Sequence, residues 1–212
     1  MDVAANLTHI KARIPPGVTL VAVSKTQTAA AIQAALVAGQ RVFGENRVQE
    51  AHAHWAVLRP LYPDLRLHLI GHLQTNKVRA AVSLFDVIET VDSTRLADAL
   101  AREMRAQGRA LPCFIQVNIG EEPQKDGVAP DAAPVLLAHC RDAGLAVAGL
   151  MCIPPAGADP APYFRRLADM ARAMGLAQLS MGMSADYEEA IKAGATHVRV
   201  GSALFGARIS KI

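Results

Sequence analysis

The chain has 212 residues, of which 51% are hydrophobic and 19% charged, and its formal net charge is +3. This apolar content excludes intrinsic disorder and predicts one globular domain over residues 1–212. Dispersed Lys and Arg with 4% aromatic residues disfavour nucleic acid, and the absence of a long apolar run or a signal-peptide pattern predicts a cytoplasmic protein without membrane contact.

Short apolar or β-branched runs alternate along the chain with longer segments of helical periodicity, a pattern typical of repeated βα units around a parallel sheet. Several runs are almost uninterrupted, as expected for strands covered on both faces. Such units can close as a (β/α)8 TIM barrel or lie open as a doubly wound sheet, and the pattern alone favours neither. The predicted strands are 19–24, 41–44, 67–71, 87–90, 113–118, 146–152, 178–181 and 197–200.

The segments between the strands carry ordinary helix signals. Residues 28–39 combine strong helix formers with a terminal glycine, and Ser93 and Ser184 are predicted N-caps. Leu96, Leu100 and Met104 have the spacing of one buried helix face. The cysteines are odd in number and form no C-x-x-C pair, which predicts buried apolar side chains at Cys113, Cys140 and Cys152.

Lys25 ends the first predicted strand, after the apolar run from Val18. The carboxyl ends of parallel strands are where α/β proteins place their active sites. An amine among apolar neighbours has a lowered pKa, because burial disfavours its charged form, and it can then attack an aldehyde. The alternative is a solvated lysine that closes a strand.

Two glycine-containing segments near the C-terminus offer an anion site. Residues 179–184 and 198–202 each run from a predicted strand through glycine to a serine that is expected to open a helix. Unpaired amides at a helix start bind phosphate, and barrels often build phosphate sites after their seventh and eighth strands. Ordinary capping by Ser184 and a tight turn at Gly201 are the alternative.

Arg199 lies two residues before Gly201, so strand alternation directs both toward the same side of the sheet. A guanidinium that faces the interior needs an anionic or hydrogen-bonding partner, since an unpaired buried charge is costly. A ligand could supply that partner. A structural salt bridge with Glu45 or Glu89 would also explain it.

Histidine spacing gives little support for a metal site. His68 and His72 have the i, i+4 spacing of zinc ligands on a helix, but they flank a predicted strand end and a glycine. His52 and His54 would lie on different faces of a helix. We therefore predict no metal site.

Blocks distributed in order over nearly the whole chain resemble the pyridoxal phosphate homeostasis proteins, the YggS/PROSC family. Each block combines a strand end with polar or glycine residues, and their combined specificity is high. They are AVSK at 22–25, FGENRVQE at 43–50, HLIGHLQTNK at 68–77, VN at 117–118 with KDG at 125–127, LSMGMSAD at 179–186 and RVGSALFG at 199–206.

The resemblance implies a barrel like the N-terminal domain of alanine racemase, with pyridoxal 5'-phosphate at its mouth. Lys25 matches the lysine that forms the Schiff base. Ser184, Gly201 and Ser202 match the phosphate-binding positions, with Met183 beside them. Arg199 matches the arginine at the pyridine nitrogen, and the strand-end residues that would line the ring are Asn46, Asn118 and Met151.

The resemblance also implies a function in vitamin B6 homeostasis rather than catalysis. A guanidinium at the pyridine nitrogen keeps it unprotonated and weakens the ring as an electron sink. An amino acid racemase is the main alternative, and an open-sheet phosphosugar enzyme that uses Lys25 is a second. Apo-enzymes that need the cofactor are possible partners, and we expect a monomer. Whether Lys77 or Lys125 takes part in release stays open.

Overall fold

The computed structural model describes residues 2–206, which form a closed barrel of eight parallel strands surrounded by helices. Each strand pairs with the next along the chain, and the last pairs with the first. The strands are β1 (Thr19–Val23), β2 (Val42–Glu45), β3 (Arg66–Leu69), β4 (Val87–Val91), β5 (Cys113–Val117), β6 (Val147–Cys152), β7 (Gln178–Met183) and β8 (His197–Val200).

Helices connect consecutive strands, and one further helix lies at each end of the barrel sequence. They are α1 (Val3–Arg13), α2 (Ala29–Val37), α3 (Val48–Trp55), α4 (Val78–Leu84), α5 (Thr94–Gln107), α6 (Ala133–Asp142), α7 (Ala161–Ala173), α8 (Tyr187–Lys192) and α9 (Ser202–Phe205). Short 3-10 helices occur at Arg59–Leu61, Thr75–Lys77 and Pro130–Ala132. Within residues 2–206, none of the helices has the length and hydropathy needed to cross a bilayer.

The pairing of β1 with β8 closes the barrel. Val21 pairs with Arg199 and Ala22 with Val200, while on its other edge β1 pairs with β2. The (β/α)8 barrel prediction is therefore confirmed, and the open doubly wound sheet is excluded. Because all strands are parallel, their carboxyl ends meet at one mouth.

Alternation along β2 separates the barrel interior from the helical layer. A Cβ at Gly44 would lie 2.9 Å from side-chain atoms of both Val21 and Ile70, so this position has room only for glycine. The neighbouring Phe43 faces outward, where its ring packs against Trp55 of α3 at a centroid distance of 4.7 Å. Gly44 therefore marks the side of β2 that faces the barrel interior.

Helix signals in the first half of the chain are confirmed. The Ser93 hydroxyl accepts the Leu96 amide at the start of α5, and Gly108 ends that helix in the left-handed region. Leu96, Leu100 and Met104 are buried, as the stripe predicts. The predicted helix 28–39 is α2, which is slightly shorter at both ends.

The prediction that Ser184 is the N-cap of the helix that follows it is wrong. Helix α8 begins at Tyr187, and Asp186 occupies the preceding position. The Asp186 carboxylate accepts the Met183 amide at 2.6 Å, so the chain turns once more before the helix starts. Ser184 lies within this turn, and its hydroxyl is directed at a different element.

The cysteines are buried and free, as predicted. Burial raises the pKa of the thiols of Cys113 and Cys152 to about 12. Burial likewise raises the pKa of Cys140, to about 11. These thiols act as small apolar groups in the core.

Candidate functional site

A cavity of about 310 Å³ opens at the mouth formed by the carboxyl ends of the strands. Its volume is in the range of small-molecule sites. The wall is built from residues at and after the carboxyl ends of β1, β2, β3, β6, β7 and β8. The structure brings together here the sequence-predicted residues Lys25, Asn46, Met183, Ser184, Arg199, Gly201 and Ser202.

Lys25 lies two residues beyond β1 and lines this cavity. It belongs to a turn closed by a hydrogen bond from the Gln27 amide to the Ser24 carbonyl, 3.1 Å long. Because β1 pairs with β2 on one side and β8 on the other, the residues after these three strands meet at one mouth, where Lys25, Asn46 and Gly201 line the same cavity. The apolar run that precedes Lys25 in the sequence predicts this position at the mouth.

The residues after β8 present backbone amides to the Ser184 hydroxyl. The amides of Gly201 and Ala203 donate to Ser184 Oγ at 3.1 and 3.3 Å. Ser184 therefore satisfies the amino end of α9 rather than that of α8. Since α9 has a single turn, its dipole is small, and an anion here would meet individual amides and hydroxyls.

Asn46 contributes a buried acceptor without a partner. Its Oδ1 receives no hydrogen bond from any residue in the described range 2–206. A Cβ on Gly71 would lie 2.4 Å from the Asn46 carbonyl oxygen, so close packing fixes the Asn46 backbone at the cavity wall. A buried polar atom left unpaired is unfavourable, and a donor on a ligand would satisfy it.

Arg199 is 4% exposed and lies at the base of the cavity. Its Nη1 donates to Ser180 Oγ at 2.7 Å, and its Nη2 donates to the Cys152 carbonyl at 2.9 Å. The Ser180 hydroxyl in turn donates to Glu89 Oε2 at 2.6 Å. Glu89 is thus joined to Arg199 through Ser180, while Glu45 binds Ser24, which follows β1, and Trp55 of α3 instead.

The fully buried Glu89 carboxylate carries a negative charge that balances the guanidinium. Burial alone would raise its pKa, but the hydrogen bond and charge of His68, the charge of Arg199 and the Ser180 hydrogen bond outweigh burial and lower the pKa to about 2. His68 Nδ1 lies 2.6 Å from Glu89 Oε1. A chain of polar groups therefore crosses the barrel beneath the cavity.

His197 completes this buried polar layer. Burial, reinforced by the charges of His68 and Arg199 against that of Glu89, lowers its pKa to about 4. Its ring packs edge-on against Phe114 at 5.3 Å and lies 5.8 Å from the ring of His68. The Thr196 hydroxyl lies 2.9 Å from His197 Nδ1, so the neutral imidazole keeps a hydrogen-bonding partner while its ring packs against its aromatic neighbours.

Three residues support Arg199, and the sequence analysis named only Glu89, as an alternative salt-bridge partner, while it did not identify His68 and Ser180 as supports of Arg199. Each is a polar residue at an inward position of a predicted apolar strand. This pattern was available in the sequence, because a polar side chain on a buried strand face requires a polar neighbour across the barrel.

Asn118 and Met151 do not line the main cavity. Asn118 borders a neighbouring cavity of about 240 Å³ with Lys125 and Asp126, and its side-chain amide donates to the Glu122 carbonyl at 2.8 Å. Met151 is fully buried on β6. Asn118 thereby organises the loop after β5, in which Lys125 and Glu122 form an ion pair of 2.6 Å.

Two groups of three histidine and carboxylate side chains occur in the described part of the chain, and neither contains both histidines of a pair that the histidine spacing raised. His68 and His72 have separate partners, because His68 binds Glu89 while His72 lies 3.6 and 3.5 Å from carboxylate oxygens of Asp92 and Asp126. The two groups are Glu45, Glu50 and His54, and His72, Asp92 and Asp126.

Comparison with known proteins identifies the family. The profile of the alanine racemase N-terminal domain matches residues 2–209. The pyridoxal phosphate homeostasis protein of Pseudomonas aeruginosa is 40% identical, over 97% of this chain and 96% of that protein.

Solved structures agree with this assignment. PipY of Synechococcus elongatus PCC7942, solved without PLP, has a TM-score of 0.92 and 42% identity over 96% of this chain and 100% of that chain. The same protein solved with PLP bound has a TM-score of 0.88 and 41% identity over the same shares of both chains, 96% and 100%. This chain therefore belongs to the pyridoxal phosphate homeostasis proteins, within the alanine racemase N-terminal domain family.

Proposed function

We propose that this chain binds pyridoxal 5'-phosphate at the barrel mouth through a Schiff base on Lys25, and that it serves vitamin B6 homeostasis without catalysing amino acid turnover. The observation that carries the proposal is the convergence of an amine, a buried guanidinium and amide and hydroxyl donors on one cavity. The shared name of the relatives and the PLP-bound structure of PipY support it.

The chemistry of the cavity fits the cofactor. When bound, pyridoxal phosphate supplies an aldehyde that combines with an amine and a ring that withdraws electrons. Lys25 provides the amine, and the Asn46 oxygen without a partner suits a donor on the ring. Ser184, Gly201 and Ser202 would hold the phosphate.

The remaining predicted residues act at the edges of the ring. Met183 is 38% exposed at the rim and presents apolar surface to it. Arg199 would hydrogen-bond the pyridine nitrogen. Asn118 and Met151 act indirectly in this proposal, through the loop after β5 and the packing of β6.

The surroundings of Arg199 favour a binding protein over an enzyme. A guanidinium donates hydrogen bonds but does not give up its proton, so it keeps a pyridine nitrogen neutral. Glu89 stabilises the charged guanidinium through Ser180 and by direct electrostatic attraction. A neutral pyridine withdraws electrons weakly and promotes carbanion formation poorly.

The racemase alternative lacks a second base in the described residues. Racemisation by two bases needs a proton donor on each side of the substrate. The tyrosines Tyr62, Tyr163 and Tyr187 are absent from the lining of the cavity. The open-sheet phosphosugar enzyme is excluded by barrel closure.

The domain extent, oligomeric state, location and partners of the protein are part of the same proposal. We propose one cofactor-binding domain over residues 1–212, of which Met1 and residues 207–212 lie outside the described residues. A monomeric state, a cytoplasmic location and delivery of the cofactor to apo-enzymes, with or without Lys77 and Lys125, are likewise predictions.

Reductive trapping tests the proposal. Purified protein incubated with pyridoxal phosphate should develop an absorbance band that borohydride abolishes, and peptide mass analysis should then locate the reduced cofactor on Lys25. Lys25→Ala should lose both signals. Lys192→Ala is the matched control, because Lys192 is an exposed lysine paired with Glu189 on α8. Wild-type protein that stays colourless at saturating cofactor would reject the assignment.

Proton exchange separates the binding protein from the racemase. Loaded protein in deuterated water should leave the α-proton of added amino acids unexchanged on the timescale of enzyme turnover. Exchange at about 1 to 1,000 per second, the ordinary range of enzymes, would establish catalysis and overturn the non-catalytic assignment.

A further inference from the structure

We propose that Glu50 of α3 is a positioning residue that holds the turn carrying Lys25 in the shape that directs the amine into the cavity. The proposal rests on the proposed function of Lys25. Cofactor binding by itself does not explain the backbone conformation of this turn or its contact with the Glu50 carboxylate, and the proposal gives both a role.

The turn after β1 contains an unfavourable backbone conformation. Thr26 has a φ of +62°, in the left-handed region, and among residues 2–206 only Glu121 shares this property outside glycine. A β-branched residue is disfavoured there by contacts of its own side chain. Such a conformation persists only where neighbouring groups enforce it, and it is common at ligand sites.

A carboxylate enforces it directly. The Thr26 amide donates a hydrogen bond to Glu50 Oε1. This hydrogen bond attaches the residue in the left-handed conformation to α3, so Glu50 stabilises the turn in the shape that the threonine side chain disfavours. A charged acceptor makes this bond stronger than one between neutral groups.

The residue on the other side of Lys25 is anchored to the same unit of structure. The Ser24 amide donates to the Gly44 carbonyl at 3.0 Å, and the Ser24 hydroxyl donates to Glu45 Oε1 at 2.7 Å. Both neighbours of Lys25 are thereby attached to the β2–α3 unit. The direction in which Lys25 leaves the backbone is determined by these two attachments.

Helix α3 is itself held firmly enough to act as a support. The same Glu45 oxygen accepts from Trp55 Nε1 at 3.0 Å and lies 2.8 Å from His54 Nδ1. Trp55 and Glu45 are fully buried. The first turn of α3, where Glu50 lies, therefore has a fixed distance from the Lys25 turn.

A merely structural carboxylate would behave differently from a positioning one. Loss of a structural carboxylate lowers stability and leaves cofactor capture by the folded protein unchanged. Loss of a positioning carboxylate slows or weakens capture, and the loss should depend on the residue at 26. Glycine adopts the left-handed region without side-chain strain, so Thr26→Gly should remove the need for Glu50.

The experiment compares Glu50→Ala, Glu50→Gln, Thr26→Gly and the double variant Glu50→Ala/Thr26→Gly. Cofactor binding is followed by absorbance and by mass analysis of the borohydride-reduced protein, and unfolding by urea is measured in parallel. The cofactor-free proteins are compared by the amide nitrogen and proton shifts of residue 26. Glu103→Ala is the control, because Glu103 is a helix carboxylate that accepts one hydrogen bond, from Gln107.

Glu50→Ala should weaken cofactor binding about tenfold, the effect of one hydrogen bond to a charged group, and should shift the residue 26 amide in the cofactor-free protein. Glu50→Gln keeps an acceptor and should recover most of the affinity. The double variant should bind within about threefold of Thr26→Gly alone, and Glu103→Ala should match the wild type.

Two results overturn the proposal separately from the proposed function. If the wild type traps the cofactor on Lys25 and folded Glu50→Ala binds equally well, or if Thr26→Gly does not rescue the loss, Glu50 does not position the lysine. If the wild type does not trap at Lys25, the proposed function fails and the positioning role fails with it. In that case the amide shift of residue 26 still shows whether Glu50 holds the turn, independently of cofactor binding.

Discussion

Replacement of Ser180 by alanine should destabilise the barrel far more than removal of one hydroxyl usually does. The hydroxyl is fully buried, accepts from Arg199 and donates to Glu89. Ser180→Ala leaves each charged group without one partner and brings in no water to replace it. Hydrogen bonds to charged groups contribute about 1.5–3 kcal/mol each, so the loss of two should lower the free energy of unfolding by about 3–6 kcal/mol.

This magnitude is large against the ordinary stability of a domain, about 5–15 kcal/mol, and a domain in the middle of that range still folds after such a loss. The free energy of unfolding is measured by urea titration at neutral pH, and the denaturant slope should stay unchanged. Ser83→Ala is the control, because Ser83 is exposed on α4, and surface substitutions change stability by about 0.5 kcal/mol or less. A loss of under about 1 kcal/mol in Ser180→Ala, at unchanged slope, would refute the role assigned to this bridge.

Two further predictions concern acid stability and strand packing. His197 has a pKa of about 4 in the folded protein against 6.5 ordinarily, so the unfolded chain binds its proton first and stability should fall by up to about 3 kcal/mol as the pH drops from 6.5 to 4. Urea titrations across this range should show the loss in the wild type and in His9→Gln, an exposed control, but not in His197→Gln. If the free energy of unfolding changes equally with pH in all three proteins, the assignment to His197 is contradicted. Gly149→Ala should cost about 3 kcal/mol or more, because the new Cβ would lie 2.0 Å from the Gln178 carbonyl oxygen. Thermal unfolding measures this loss, and a wild-type midpoint would show that β6 and β7 can separate.

The strands could be predicted from the sequence because each is a short apolar run between polar segments. β8, at His197–Val200, has the predicted bounds. β2 instead continues through Glu45 and β7 through Met183, since hydrogen bonds to neighbouring strands extend to the mouth. Such pairing depends on residues distant in sequence, which a local pattern does not contain.

Barrel closure and the role of Ser184 could not be predicted for the same reason. Closure requires Val21 of β1 to pair with Arg199 of β8, and no local feature of either strand indicates that partner. Ser184 has the composition of an N-cap, but its hydroxyl binds amides after β8 rather than those of the next helix. The choice between two nearby acceptors, Ser184 and Asp186, depends on tertiary contacts.

The inward direction of Arg199 could be predicted from strand alternation, whereas the identity of its carboxylate partner could not. The sequence gives candidate carboxylates at Glu45 and Glu89 but not their orientation. In the structure Glu45 faces α3, and Glu89 faces the interior and reaches Arg199 through Ser180. Residue types alone do not reveal such an intermediary, because it depends on which strands lie opposite each other.

The proposed ligand cavity lies on the seam where the first and last strands meet. Its amine follows β1, and its anion-binding amides follow β8, nearly the full length of the chain away. Contacts of such high sequence separation form late in folding, so a growing chain has no complete cavity until its final strand is in place. A ligand that contacts both strands would bind only the closed barrel and would oppose opening of the seam, which links cofactor supply to the lifetime of the folded protein.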